Sequence, residues 1–240
     1  MKAVLEYWPA LYQGLLTTIW VAMCSITGAA VGSLILGPLR MSSSRGVRLF
    51  ALFIIEFIRG ASALVALFWV FYSLPSMPHM PRLSPMVASI LVLSLIGASY
   101  GAEIVRGGIL AIPRGQLDAS HALGLGKFRT LTKVVLPQAL SQIVPSFAGL
   151  AADMVKWTSI VSFVGVRDLV YVGDSIRTAT YETVSVYVVL GAIYWALCFI
   201  CELIFQCVEH FLPLNKALRV TKCRSQPVPR AQMQTEGVKP

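Results

Sequence analysis

Charge is what this chain has least of. Only 13% of its 240 residues are Asp, Glu, Lys or Arg, while 56% are apolar; an average soluble domain is about 25% charged. So little polar surface argues against a water-soluble domain and for the bilayer as solvent. Acids are scarcer than bases, 11 against 20, which gives a formal charge of +9. An excess of that sign can mark a nucleic-acid partner. Here the bases are scattered between apolar runs and build no recognition stripe, so no nucleic acid is expected. Histidine is rare as well: His79, His121 and His210 have neither metal-ligand spacing nor a nucleophile to serve, so no metal site and no catalytic residue is nominated. The five cysteines follow no disulfide framework. Cys198 and Cys201 read as CxxC, but inside an apolar run with no second pair they are small apolar filler. No G-x-x-x-x-G-K-[ST] phosphate loop occurs, nor any repeat of solenoid period.

What the chain has is long apolar runs. A helical crossing takes about 20 mainly apolar residues, and five runs qualify: residues 15–39, 49–74, 83–100, 139–155 and 184–211. The first is longer than a signal core and ends in no small-x-small cleavage site, so it is expected to be kept as a span. A sixth apolar segment, 160–172, is short and interrupted by Gly165, Arg167 and Asp168. It is expected to be re-entrant or interfacial.

Five crossings put the two ends on opposite sides, and the bases decide which end is inside. One set of loops holds Arg40, Arg45 and Arg48, then Arg106, Arg114, Lys127, Arg129 and Lys133, then six more beyond residue 215. The other set holds Lys2, Arg82, Lys156, Arg167 and Arg177. The bias places residues 1–10 outside, in the periplasm, and residues 215–240 in the cytoplasm. Between them 11–214 forms one transmembrane domain. The last stretch is polar and contains Pro227, Pro229 and Pro240, the composition of a disordered tail.

The cytoplasmic loop between the third and fourth spans is long for a bare connector. A first short helix is expected from about Gln116 to Leu123, with Leu117, Ala119, His121 and Ala122 available for contact and Gly124 as its cap. A second starts after Gly126. It sets Phe128, Leu131, Val134 and Val135 in an apolar stripe and Lys127, Arg129 and Lys133 on the other face. On physical grounds alone the pair fits equally a headgroup-lying helix pair and a docking surface for a soluble partner.

The wording of the loop separates these two. Asp118-Ala119-Ser120, three residues, Gly124, nine residues, then Val134-x-Leu136-Pro137 resembles the EAA signature of importer permeases at every spacing. Asp stands for Glu, Ser for the second Ala and Val for Ile. Tyr100-Gly-Ala-Glu103-Ile-Val-Arg106-Gly-Gly108, Ile112-Pro-Arg-Gly115-Gln116, Leu136-Pro-Gln138-Ala139, Glu56-Phe-Ile-Arg59-Gly60 and Lys156-x-Thr158-Ser159 are similar to the polar amino acid permease family of ATP-binding-cassette (ABC) importers. The resemblance covers about residues 11–214. It implies an all-α integral membrane protein with five transmembrane helices, an ABC importer permease fold and a cytoplasmic EAA coupling-helix loop, in the bacterial inner membrane. It implies no enzyme activity and no cofactor on this chain, with ATP and Mg bound by a partner. The implied partners are a cytoplasmic ATP-binding subunit dimer, a second permease subunit (the same or a similar chain), a periplasmic substrate-binding protein and the lipid bilayer. By the same resemblance Gln116, Asp118, Ala119, Ser120, Gly124, Leu136 and Pro137 couple to the ATPase.

Ionisable residues at bilayer depth are costly and point to function. Glu56 and Arg59, and Asp153 and Lys156, are each three apart, one turn on one helix face. They suit structural ion pairs or a polar route, and a zwitterionic amino acid needs both signs. The candidate substrate pathway is Glu56, Arg59, Ser62, Asp153, Lys156, Trp157 and Thr158, with Lys156 and Trp157 expected at its outer end. The chain departs from the family in having Ala61-Ser62 where Thr-Pro is usual, which removes a fixed break from the second span. It also has Trp157 where an acid is frequent, and an indole offers stacking or a cation–π contact instead. An ectoine-like cargo is one alternative. An ion-coupled secondary transporter is another, though it would normally need more spans and an inverted repeat.

Overall fold

The computed structural model of the chain describes residues 7–78, 80 and 82–211, and every regular element among them is helical. The expected tail at 215–240 and the first six residues of the expected periplasmic end lie outside the described residues. Helix α1 is Trp8–Arg40. At about 1.5 Å per residue it is about 50 Å long, enough to cross the hydrocarbon and both headgroup layers. Next come α2 (Arg45–Gly60), α3 (Ala63–Ser76) and α4 (Pro85–Leu110). The Ser84 hydroxyl caps α4, accepting the Val87 N–H at 3.4 Å. The loop that follows holds α5 (Arg114–Ala122) and α6 (Lys127–Thr130). Last come α7 (Leu136–Trp157), α8 (Leu169–Thr180) and α9 (Thr183–Phe211).

Among the described residues four helical stretches are long and apolar enough to cross a membrane: Trp8–Arg40, Pro85–Leu110, Phe128–Val164 and Thr183–Glu209. The pair α2 and α3 makes a fifth only as a broken span, bent by 100°. The second crossing is therefore not the straight helix expected over 49–74. Its break forms without the proline to which sequence reasoning had tied it: Ala61 (φ −82°, ψ 140°) and Ser62 (φ −65°, ψ 132°) are both extended. The two halves obey different neighbours. α3 seats Leu67 in a cluster with Val21, Val92, Leu93 and Ile96. α2 is amphipathic, burying Ala51 and Ile55 while leaving Phe50, Phe53 and Phe57 exposed.

The fourth crossing is longer than expected. Past Trp157 it continues as a 3₁₀ segment, Thr158–Val164, and stops at Gly165, whose φ of 81° suits glycine. Residues 160–164 thus belong to this span. The rest of the supposed re-entrant piece starts α8, where Asp168 is the N-cap and its Oδ1 accepts the Tyr171 N–H at 2.9 Å.

Two wide, π-type turns share one cause. In each, a Leu-Pro pair follows: Leu74-Pro75 after Trp69–Ser73, and Leu136-Pro137 after Leu131–Val135. Proline donates no N–H and crowds the carbonyl four residues back. The chain widens by one residue, so Leu74 N–H bonds Trp69 O and Leu136 N–H bonds Leu131 O, each five residues back.

The seam between α1 and α4 is the centre of the bundle. Gly28 and Gly32 of α1 lie against Ser94 and Ala98 of α4, and Gly97 and Gly101 of α4 lie against Ala29 and Ser33 of α1, the small-residue pattern that lets backbones approach in lipid. A Cβ built at Gly97 would stand 2.6 Å from Met154 Sδ and 2.7 Å from Ala29 Cβ; one at Gly101 would stand 2.7 Å from Ser33 Cβ.

Candidate functional site

The loop between α4 and α7 presents one rigid short helix. α5 ends in paired bonds of the Schellman type: Leu125 N–H to Ser120 O at 3.0 Å and Gly124 N–H to His121 O at 2.9 Å. That closure requires the left-handed φ of 71° at Gly124, where a side chain would meet no atom but the backbone would be strained. Its exposed face carries Gln116, Asp118, Ala119, His121, Ala122 and Leu123. Two residues expected on that face are withdrawn from it. Ser120 is buried, its hydroxyl donating to Gln116 O at 2.7 Å. Leu117 packs against Val105, Ile112, Val135, Ala139 and Ile143. These two seat α5 on the spans. The stripe expected from Phe128 to Val135 is split. Val135 is buried while Phe128 and Leu131 stay exposed, because the wide turn between them shifts the angular register.

The charged residues of the spans fall into two groups. Around the break, Arg59 Nη1 lies 3.7 Å from Glu56 Oε1, and the Arg59 guanidinium sits over the Tyr100 ring at 4.9 Å. Tyr100 in turn packs on Trp157 at 5.6 Å. Glu103, one turn further along α4, pairs with Arg40 of α1 and with Arg106 at 3.7 Å. Tyr100 was quoted in the family wording but given no role; its helical spacing from Glu103 is the only sequence signal.

On α7, Lys156 Nζ bonds Asp153 Oδ1 at 3.0 Å. Both are exposed and lie on one stripe with Gln142, Ser146 and Gly149. Lys156 also lines a cavity of about 360 Å³ with Ser159, Tyr187, Gly191 and Tyr194, at the lower end of the ~300–1,000 Å³ of small-molecule sites. Thr158 is fully buried and its hydroxyl donates to Val155 O at 2.7 Å, so it packs the interior and faces no route. Lys156 and Trp157 do not end the span as the expected bounds had it. The span runs seven residues further, about 14 Å of 3₁₀ rise, and Met154 one turn earlier packs on Gly97 in mid-bundle.

Just past the C-terminal end of that span, Asp168 is buried together with Thr18, whose Oγ1 accepts the Leu169 N–H at 3.1 Å. Burial pushes the Asp168 carboxyl up to about 6, against the lowering by backbone N–H donors such as that of Tyr171. Its second oxygen has no partner in hydrogen-bond geometry; the Tyr194 hydroxyl is its neighbour. Among the described residues no group of His, Cys, Asp and Glu is arranged to hold a metal ion.

Fold and site together define a helical membrane bundle with one broken span and a glycine-ended helix in the loop before α7. Residues 28–212 match the family model described as binding-protein-dependent transport system inner membrane component, and the chain belongs to that family. It is 36% identical over 208 residues to a probable amino-acid ABC transporter permease of Sinorhizobium fredii, covering 85% of this chain and 87% of the relative. An L-cystine transport system permease of Bacillus subtilis is 31% identical, with 86% and 88% covered. A crystal structure of an amino acid ABC transporter with histidines superposes with a TM-score of 0.80 at 28% identity, covering 86% of this chain and 96% of that one. The chain is thus a multi-pass inner-membrane permease component of the amino-acid ABC importer type, and not an enzyme. The ectoine alternative draws no support from these relatives.

Proposed function

We propose that this chain carries polar, zwitterionic amino acids inward, driven by a separate ATPase that docks on α5. ATP and Mg belong to that partner. The N-terminus faces the periplasm, where a substrate-binding protein delivers cargo, and the C-terminus faces the cytoplasm. The observation that carries this reading is the Schellman-closed α5, seated by Leu117 and Ser120 and offering Gln116, Asp118, Ala119 and Gly124 outward. A helix closed in this way can be pushed as one body, and the Leu136-Pro137 turn passes the push into α7.

The stripe of Gln142, Ser146, Gly149, Asp153 and Lys156 supports a second permease subunit. Exposed to lipid, its charges would cost roughly 2.5–3.5 kcal/mol each on insertion scales; against a partner they line a shared polar route. Glu56, Arg59 and Ser62 at the break extend that route, and together the two pairs offer both signs to a zwitterion.

The test is Gly124→Val. A β-branched residue at φ 71° opens the helix end. Uptake should be abolished and ATPase association weakened, with membrane insertion normal. Full uptake by this variant would remove the coupling role from the loop.

A further inference from the structure

The Arg59 guanidinium has more donors than acceptors. It carries five N–H groups in a planar fork. The carboxylate beside it, Glu56, is at 3.7 Å, long for a hydrogen bond, and its Nε is buried with no partner among the described residues. Yet the group is held in place. It lies over the Tyr100 ring at 4.9 Å, and Tyr100 is backed by Trp157 at 5.6 Å, ring planes tilted by 50°. The three residues come from three elements: the last turn of α2, the middle of α4 and the end of α7. Arg59 also stands one residue, Gly60, before the extended Ala61-Ser62 break, where the α2 helix ladder ends.

A guanidinium fixed by its face, with its edge donors unspent, is preorganised for a bidentate carboxylate. We propose that Tyr100 is a positioning residue for cargo recognition: its ring, backed by Trp157, holds Arg59 at the α2–α3 break to take the free carboxylate of the transported amino acid. This rests on the reading of the chain as an amino-acid permease. It also reassigns Trp157. The indole braces Tyr100, and the cation it serves is the protein's own Arg59, not the cargo.

The assembled importer, with its ATPase and binding protein in proteoliposomes, tests this. The probes are radiolabelled L-cystine, L-glutamine, L-arginine and L-histidine, each competed by its own α-carboxamide. Tyr100→Leu should raise the half-maximal concentration about 3- to 30-fold, the range of a lost cation–π contact. Its maximal rate and cargo-free ATPase should stay within about twofold. Tyr100→Phe keeps the ring face and should stay within about twofold in all three. The double variant Arg59→Gln/Tyr100→Leu should be no worse than Arg59→Gln alone, and both should lose the wild-type preference for acid over carboxamide. Tyr100→Met replaces the leucine variant if that one fails to assemble. The proposal is overturned if Phe is as damaging as Leu, if the two substitutions add, or if preference for the carboxylate survives in Arg59→Gln. A wild-type importer that hydrolyses ATP yet carries none of the four probes instead overturns the amino-acid reading, and the proposal falls with it.

Discussion

Helices α4 and α9 are similar in length and both apolar, but they live in opposite surroundings. The more apolar of the two, α9, has a mean hydropathy of 2.3 in its best window and only 6% of that window is buried; α4 has 1.7 and 56%. In water the order would be reversed. In lipid, hydrophobicity carries a helix into the membrane but does not choose its neighbours, because acyl chains are as apolar as leucine. Small residues choose them. α4 brings Gly97, Gly101 and Gly108 to α1 and α7. α9 shows Val188, Trp195, Phe199 and Ile204 to its surroundings, and is tied inward at a few points: Leu190 over Gly173, the Tyr194 hydroxyl beside Asp168, and Phe205 near Phe147.

The comparison breaks most completely at Gly97. Gly97→Leu drives a branched side chain into Met154 and Ala29, and assembled importer recovered from membranes should fall by about tenfold or more. Gly101→Ala adds one methyl against Ser33 and should cost about 1–3 kcal/mol, read as a lower unfolding midpoint of the solubilised subunit. The tie to α9 is tested through pH. The Asp168 carboxyl sits at about 6 when folded and at 3.8 as an unperturbed side chain, so the fold holds its proton more tightly. Its contribution is full below about pH 3.8, fades as pH rises to about 6, and is flat above. The wild-type midpoint should gain from this group on going from pH 7 to pH 4, and Asp168→Asn, which keeps an N-cap acceptor, should lose that slope. An unchanged slope would detach Asp168 from stability. Smallest is Val188→Ala on α9, expected below about 0.5 kcal/mol; a larger loss would reveal a partner covering that face.

The crossings, the short loop helix and the glycine that ends it were legible because each has a local signature: an apolar run, a motif spacing, a glycine after a short helix. What was missed depends on contacts between distant segments. The break at Ala61-Ser62 carries no proline, and arises because α2 and α3 answer to different packing. The span past Trp157 was cut short because Gly165, Arg167 and Asp168 lower hydropathy just where a 3₁₀ segment still crosses. The small-xxx-small pairs Gly28/Gly32 and Gly97/Gly101 were readable but meant nothing until α1 and α4 were side by side, each pair against Ser or Ala of the other helix. In the candidate site, the two ion pairs have the same spacing and different fates: Arg59 is stacked on an aromatic ring, and Lys156 is open. Spacing cannot report which ring stands opposite.

The wide turn at Leu131–Val135 bears on how such proteins can be recombined. A π-type turn holds one residue more than an α-turn, and one residue is about 100° of rotation. A chimera that spliced another permease's loop onto this span inside 131–137, and lost the turn, would swing the Gln142-to-Lys156 stripe through that angle relative to the loop. A junction before Leu131 or after Pro137 keeps the turn whole on one side and preserves the angular phase. Loop and span are interchangeable parts at those two seams and nowhere between them.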